Sequence, residues 1–180
     1  VKLKDLIQNV QDARLHFLAT TSPLTDEQVI FKPSSENWCI TEIVEHMVWA
    51  ELGGINGIWK AIAGIKNKQP VWMGEAIHQG LSIEQIIQKT WREKEIVPEN
   101  AKPSWGGPID YWRASLLNNQ NLLQLLSSAL EGLNPEIVIY PHIISGPLNV
   151  YQRLEFLRFH LERHQKQIEN IKAHPDFPQS

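Results

Sequence analysis

Four stretches of this chain carry apolar residues at spacings of three and four, and Pro-, Gly- or Ser/Thr-rich breaks separate them. That pattern limits the chain to a helical architecture. Leu3, Leu6, Ile7, Val10, Ala13 and Phe17 mark the first helix, which the turn chemistry of "TTSPLTDEQ" ends. Ile43, Val44, Met47, Val48, Ile55, Ile58, Trp59 and Ile62 mark the second, from about residue 40 to about 65. Trp112, Leu116, Leu123, Leu126 and Leu130 mark the third, stopped by Gly132 and Pro135. The last runs from about 150 to 172.

Shorter elements fall between these. "LSIEQIIQKTWREKEIV" predicts an additional helix between the second and third, with Ser82 as N-cap and Gln85 three residues on, the capping-box pattern. "LTDEQVI" predicts a single short helical turn. "KNKQPVWMGEAIHQG" reads as a loop, and "PENAKPSWGGP" as a connection without regular structure. "EIVIYPHIISGPLN" is β-branched but punctuated by proline, so an extended connector is expected rather than a sheet. "AHPDFPQS" reads as a tail. Gly53, Gly54 and Gly57 sit inside the second helix, each costing roughly 1 kcal/mol against Ala. They signal either close helix contact or a kink. The expectation is an all-α chain folded as one domain over residues 1–180, with long connections before the third and fourth long helices that permit crossovers.

A net charge of -3 gives no basic footprint for nucleic acid, and no apolar run approaches the roughly 18 residues a membrane helix needs. The opening segment is charged and amphipathic, unlike a signal peptide. Cys39 is the single cysteine, which rules out an intramolecular disulfide and a cysteine-rich zinc site and fits a reducing cytoplasm. Seven tryptophans supply core volume or, in part, the walls of a pocket.

Chemistry enters through the histidines. His160 and His164 are four apart, one helical turn, so their imidazoles share a face. Seven histidines give such a pair by chance in roughly one chain in four, so spacing alone decides little. Position adds more: Leu157, Leu161 and Ile168 all lie within about 100° of His160, and His164 within about 40°. The pair therefore belongs to the apolar arc, where each imidazole needs a partner for its nitrogens. They either fill core space or await a metal and a third ligand. The zinc-protease pattern H-E-x-x-H does not apply, because Glu162 is one residue too late and points about 200° away from His160. Of the other histidines, His78 in a glycine-bordered loop and His174 in the tail read as surface residues. His16 lies near the end of the first helix. His46, beside Ile43 and Met47, and His142, in "YPHIISGP", remain as the candidates for a third ligand or a pocket residue over the site.

"W-C-I-T-E-I-V-E-H-M" resembles the W-S-x-x-E-x-x-x-H signature of the DinB/YfiT-like superfamily, metal-dependent four-helix proteins. "GPLNVYQRLEFLRFHLERHQKQI" resembles its C-terminal signature, a G-x-L turn leading into a helix with H-x-x-x-H-x-x-Q-I, and "LTDEQVIFKPSSENW" is similar too. The resemblance implies a four-helix bundle of up-down-down-up order with the additional short helix inserted, often as a homodimer. It assigns His46, His160 and His164 to the family's metal triad. Relatives include thiol S-transferases, a mycothiol-dependent isomerase and hydrolase-like proteins, so the likeness does not select a substrate. This chain departs from the signature at Cys39, where Ser usually caps the helix; a helix start can lower a thiol pKa, but Cys39 lies about 10 Å along the axis from His46, so no catalytic role is expected of it.

Three neutral imidazoles suit Zn²⁺, Ni²⁺, Fe²⁺ or Mn²⁺, with Zn²⁺ and Ni²⁺ first, and leave an open position of catalytic type. Gln167, one turn past His164, is a candidate hydrogen-bond partner for it. Glu42, one turn before His46, is a candidate base or acceptor, or a plain helix cap. The expected activity is that of a metal-dependent transferase or hydrolase on a small thiol or electrophile. The alternative is a non-catalytic metal-binding or dimeric interaction protein.

Overall fold

The polypeptide spacing described above resolves into helices whose ends are chemically marked. The computed structural model describes residues 2–91 and 97–179. Its helices are α1 (Leu3–Ala19), α2 (Asp26–Ile30), α3 (Ile40–Lys66), α4 (Ile83–Thr90), α5 (Ile109–Gln124), α6 (Leu126–Ala129) and α7 (Val150–Lys172). Thr25, Ser82 and Asn149 each accept a hydrogen bond from the backbone three residues on, and Gln28, Gln85 and Gln152 reciprocate. These reciprocal bonds satisfy N–H groups that a helix start otherwise leaves bare.

The fold is mostly helical. α1 packs along α7 and α3 along α5, while α3 also meets α7 and α1 meets α5. Leu6, Val10 and Phe17 of α1 are buried with Ile43, Met47, Ile55 and Ile58 of α3. Trp112, Leu116 and Leu123 of α5 and Leu154, Leu157, Leu161 and Ile168 of α7 complete the same core. At about 1.5–3 kcal/mol for each fully buried large aliphatic or aromatic side chain, this burial is the dominant favourable contribution. A polar link crosses it: Arg14 of α1 is paired with Glu51 of α3, both fully buried, and its Nη1 donates to Gln120 Oε1 of α5 at 2.6 Å. Burial pushes the Glu51 carboxyl up while the guanidinium pulls it back. Desolvation offsets most of the attraction in such a pair, so its main effect is on the register of three helices rather than on net stability.

Several connections differ from their expected form. The 136–149 connector is not extended coil but a hairpin, β1 (Ile139–His142) antiparallel to β2 (Gly146–Asn149). Its prolines, Pro141 and Pro147, face each other in register, and both strands are edges, so neither proline breaks an interior ladder. Gly146, at φ 74°, closes the three-residue turn. The chain is therefore not purely α. Glu99–Ala101 forms a 3-10 turn inside the Pro/Gly-rich connection. The third long helix is interrupted at Leu125, where ψ of -13° tightens the spiral between α5 and α6. Of the predicted helix over 81–97, Ile83–Thr90 is α4, and residues 92–96 lie outside the described residues. The tail is docked: Phe177 is buried edge-on to Phe31, and Gln28 Nε2 donates to Pro178 O at 2.9 Å.

Gly57 shows why glycines interrupt α3. A Cβ there would stand 2.5 Å from Cδ1 of Tyr140, so the bare backbone is the seat for the β1 ring. Gly54 lies similarly against Leu157 of α7, with 3.0 Å to its Cδ2. Close approach, not a kink, is their role. Among the described residues, no helix is long and apolar enough to cross a membrane.

Candidate metal centre

Two turns into α3, and near the middle of α7, three imidazoles meet. His46, His160 and His164 are all buried. Each offers one nitrogen to a cluster whose members lie within 4.8 Å of one another. Ring centroids stand 4.6 Å apart for His160 and His164, 4.8 Å for His46 and His164, and 5.3 Å for His46 and His160. The Nε2 atoms of His160 and His164 are 3.1 Å apart.

The outer nitrogens fix which atoms face inward. His46 Nδ1 lies 2.7 Å from the Ala101 carbonyl, which can only accept, so Nδ1 carries the proton and Nε2 its lone pair. His164 Nδ1 lies 2.8 Å from Oε1 of Gln167, which orients that ring in the same sense. Phe156 stacks on His160 at 5.5 Å, and Trp38 lies 5.0 Å from His46. Burial holds all three imidazoles below the ordinary histidine pKa, His164 at about 3, and the Arg163 guanidinium lowers them further. Neutral imidazole is the ligand form.

This arrangement fits a cation. A proton can bridge one pair of facing lone pairs but not three at once. Nitrogens bound to one Zn²⁺ at 2.0–2.1 Å in tetrahedral order stand about 3.3 Å apart, close to the His160–His164 separation. Three buried imidazoles with convergent inner nitrogens, two of them anchored through the outer nitrogen, could hold a metal ion.

Around the cluster is a cavity of about 640 Å³. Trp38, Trp49, Trp91, Tyr140 and Phe156 contribute aromatic wall, so three of the seven tryptophans line it while Trp112 fills core. His142 also lines it, 4.4 Å from Phe156 and stacked on Trp91 at 6.2 Å. It stands apart from the three-imidazole group. Its Nδ1 accepts from the backbone N–H groups of Ile144 and Ser145, and burial lowers its pKa to about 3.

The other sequence candidates sit elsewhere. Glu42 is engaged as a cap: its Oε2 accepts from Cys39 N at 2.8 Å and its Oε1 from Lys32 Nζ at 2.7 Å. The Cys39 thiol is buried, and desolvation raises its pKa rather than lowering it, so proximity to a helix start does not activate it. His16 is exposed on α1. His78 is not a surface residue: it is buried, with Nε2 2.6 Å from the Ser145 carbonyl, tying the 67–82 loop to the hairpin turn. His174 is half-buried beside Phe31 in the docked tail.

Sequence reasoning passed over two residues of this region. Glu45 is buried, and its carboxylate accepts from Ser104 N, Trp105 N and Gly106 N at 2.7, 2.8 and 3.0 Å. With His46 holding Ala101, two neighbouring side chains of α3 pin the whole 101–106 crossing over the site. A carboxylate between Val44 and His46, in a helix apolar almost all round, was the available signal. Arg153 is the second. It lines the cavity from the face of α7 that carries His160, and its place seven residues earlier was legible as spacing.

The chain belongs to the DinB superfamily, whose family model matches residues 10–168. No curated protein and no solved structure gives a significant match to the chain.

Proposed function

We propose that this DinB-superfamily protein is a divalent-metal-dependent enzyme, a transferase or hydrolase acting on a small thiol or electrophile. The observation that carries the reading is the convergence of three buried imidazole nitrogens at the floor of a cavity. His46, His160 and His164 are the ligands in this reading, and Zn²⁺ or Ni²⁺ is the favoured ion. With three protein ligands, such an ion keeps a free position and supplies Lewis acidity that lowers the pKa of an incoming thiol or water.

The protein's own part is to hold and to exclude. Gln167 and the Ala101 carbonyl keep two rings in the tautomer that points Nε2 inward. The aromatic wall shields the reacting atoms from bulk water, which strengthens every charge interaction inside. Together α1, α3, α5 and α7 are proposed to form the up-down-down-up bundle of the family, working as a homodimer.

The test is a screen of zinc- and nickel-loaded protein against low-molecular-weight thiols with a chromogenic electrophile. Turnover that depends on the metal and is lost in His160→Ala supports the reading. Turnover that survives removal of the three histidines rejects it, and metal binding without any turnover favours the non-catalytic alternative.

A further inference from the structure

The cavity holds a cation that the three imidazoles do not explain. Arg153 is 4% exposed, yet among the described residues only Nη2 of its N–H-bearing nitrogens has a protein acceptor, the Tyr140 carbonyl at 3.2 Å. Its Nε is buried with no partner among the described residues. Among the described residues that line the cavity, Arg153, Arg163 and Lys166 are basic and none is Asp or Glu. The rings of Tyr140 and Phe156 lie 6.0 and 5.8 Å from the guanidinium carbon. Burial lowers its pKa to about 10, which still leaves it charged at neutral pH.

A buried, under-bonded guanidinium is costly unless a ligand completes it. A hairpin anchor would need only the one bond to Tyr140, and a neutral side chain could make it. Charge balance points the same way. Arg153, Arg163 and Lys166 give the described lining a positive excess without any metal, and that excess favours a ligand that carries negative charge. Arg153 and His160 are seven residues apart on one face of α7, about 10 Å along the axis. Phe156 and Leu157 occupy the interval, and both line the cavity.

We propose that Arg153 anchors a carboxylate subsite, so that the substrate carries a carboxylate joined by an apolar spacer to the atom that meets the three-histidine end. A carboxylate is favoured over a phosphate because Arg153 is the buried cation of the described lining, while Arg163 and Lys166 are exposed, and one guanidinium in an aromatic setting balances one negative charge and not two. The statement about the reacting end rests on the proposed metal site; the carboxylate subsite itself does not.

Calorimetry separates the two. Metal-stripped protein is titrated with octanoate, octanamide and octyl phosphate, and zinc-loaded protein with mercaptooctanoate. Metal-stripped wild type is expected to bind octanoate about tenfold or more tighter than octanamide. Arg153→Met abolishes that preference, Arg153→Lys retains part of it, and Arg163→Met leaves most of it. Mercaptooctanoate gains affinity over octanoate only on zinc-loaded protein, and loss of that gain alone indicts the metal site rather than Arg153. The subsite is overturned if wild type does not bind octanoate or binds octanamide equally, or if the preference survives Arg153→Met. It is also overturned if octyl phosphate binds tighter in an Arg153-dependent way. Should Arg153→Met fail to fold, the wild-type comparison and Arg153→Lys decide.

Discussion

Nε2 of His160 faces Nε2 of His164 across 3.1 Å, both rings buried at the wall of the cavity. A proton on one of these two nitrogens would join that pair alone and leave the inward lone pair of His46 out. The metal reading rests on that geometry, and the surrounding bonds make it sensitive to specific changes.

Gln167 sets the tautomer of His164 through a 2.8 Å contact to Nδ1. Replacing Gln167 by Leu removes the acceptor while keeping the side chain's bulk. Metal affinity is expected to fall about 10- to 100-fold, as for other partners of metal-binding histidines. Gln167→Glu keeps an acceptor and should lose less. Competition with a chromophoric chelator measures both.

Glu45 gathers three backbone N–H groups of the 104–106 segment. Glu45→Ala strands them and loosens the crossing that also supplies the Ala101 carbonyl to His46. The expected cost is at least about 2 kcal/mol in unfolding free energy, since bonds to a charged acceptor are the stronger kind. Hydrogen exchange at Ser104, Trp105 and Gly106 should accelerate before the rest of the molecule. Denaturant melts and exchange mass spectrometry report the two effects.

Gly57 gives Tyr140 its seat on α3. Gly57→Ala improves helix propensity by about 1 kcal/mol. It also places a methyl group 2.5 Å from the ring, and overpacking of this kind costs about 1–3 kcal/mol. The clash wins: the variant is expected to be less stable, with the hairpin displaced and the cavity widened. Gly53, where an added Cβ meets nothing, is the control, and Gly53→Ala should be neutral or stabilising. Thermal melts of the two variants give the comparison.

The long helices were legible because their apolar spacing is local and repeated, and because Ser82 and Gln85 carry a cap signature within four residues. His160 and His164 were legible for the same reason, one helical turn on an apolar arc. What escaped is non-local. The 101–106 crossing takes its shape from Glu45 and His46, some sixty residues earlier, and nothing in "PENAKPSWGGP" announces that. The hairpin was hidden by Pro141 and Pro147, whose pairing in register removes the usual objection to proline in a strand. The Cys39 thiol stays out of the chemistry because burial raises its pKa and outweighs the helix start.

The most direct test of the central claim is elemental analysis of protein purified without a histidine tag and reconstituted with Zn²⁺ or Ni²⁺. The account predicts close to one divalent ion per chain in the wild type and a large loss of bound ion in each of His46→Ala, His160→Ala and His164→Ala, with folding retained by circular dichroism. A wild type that binds no ion, or three variants that bind as much as the wild type, would contradict it.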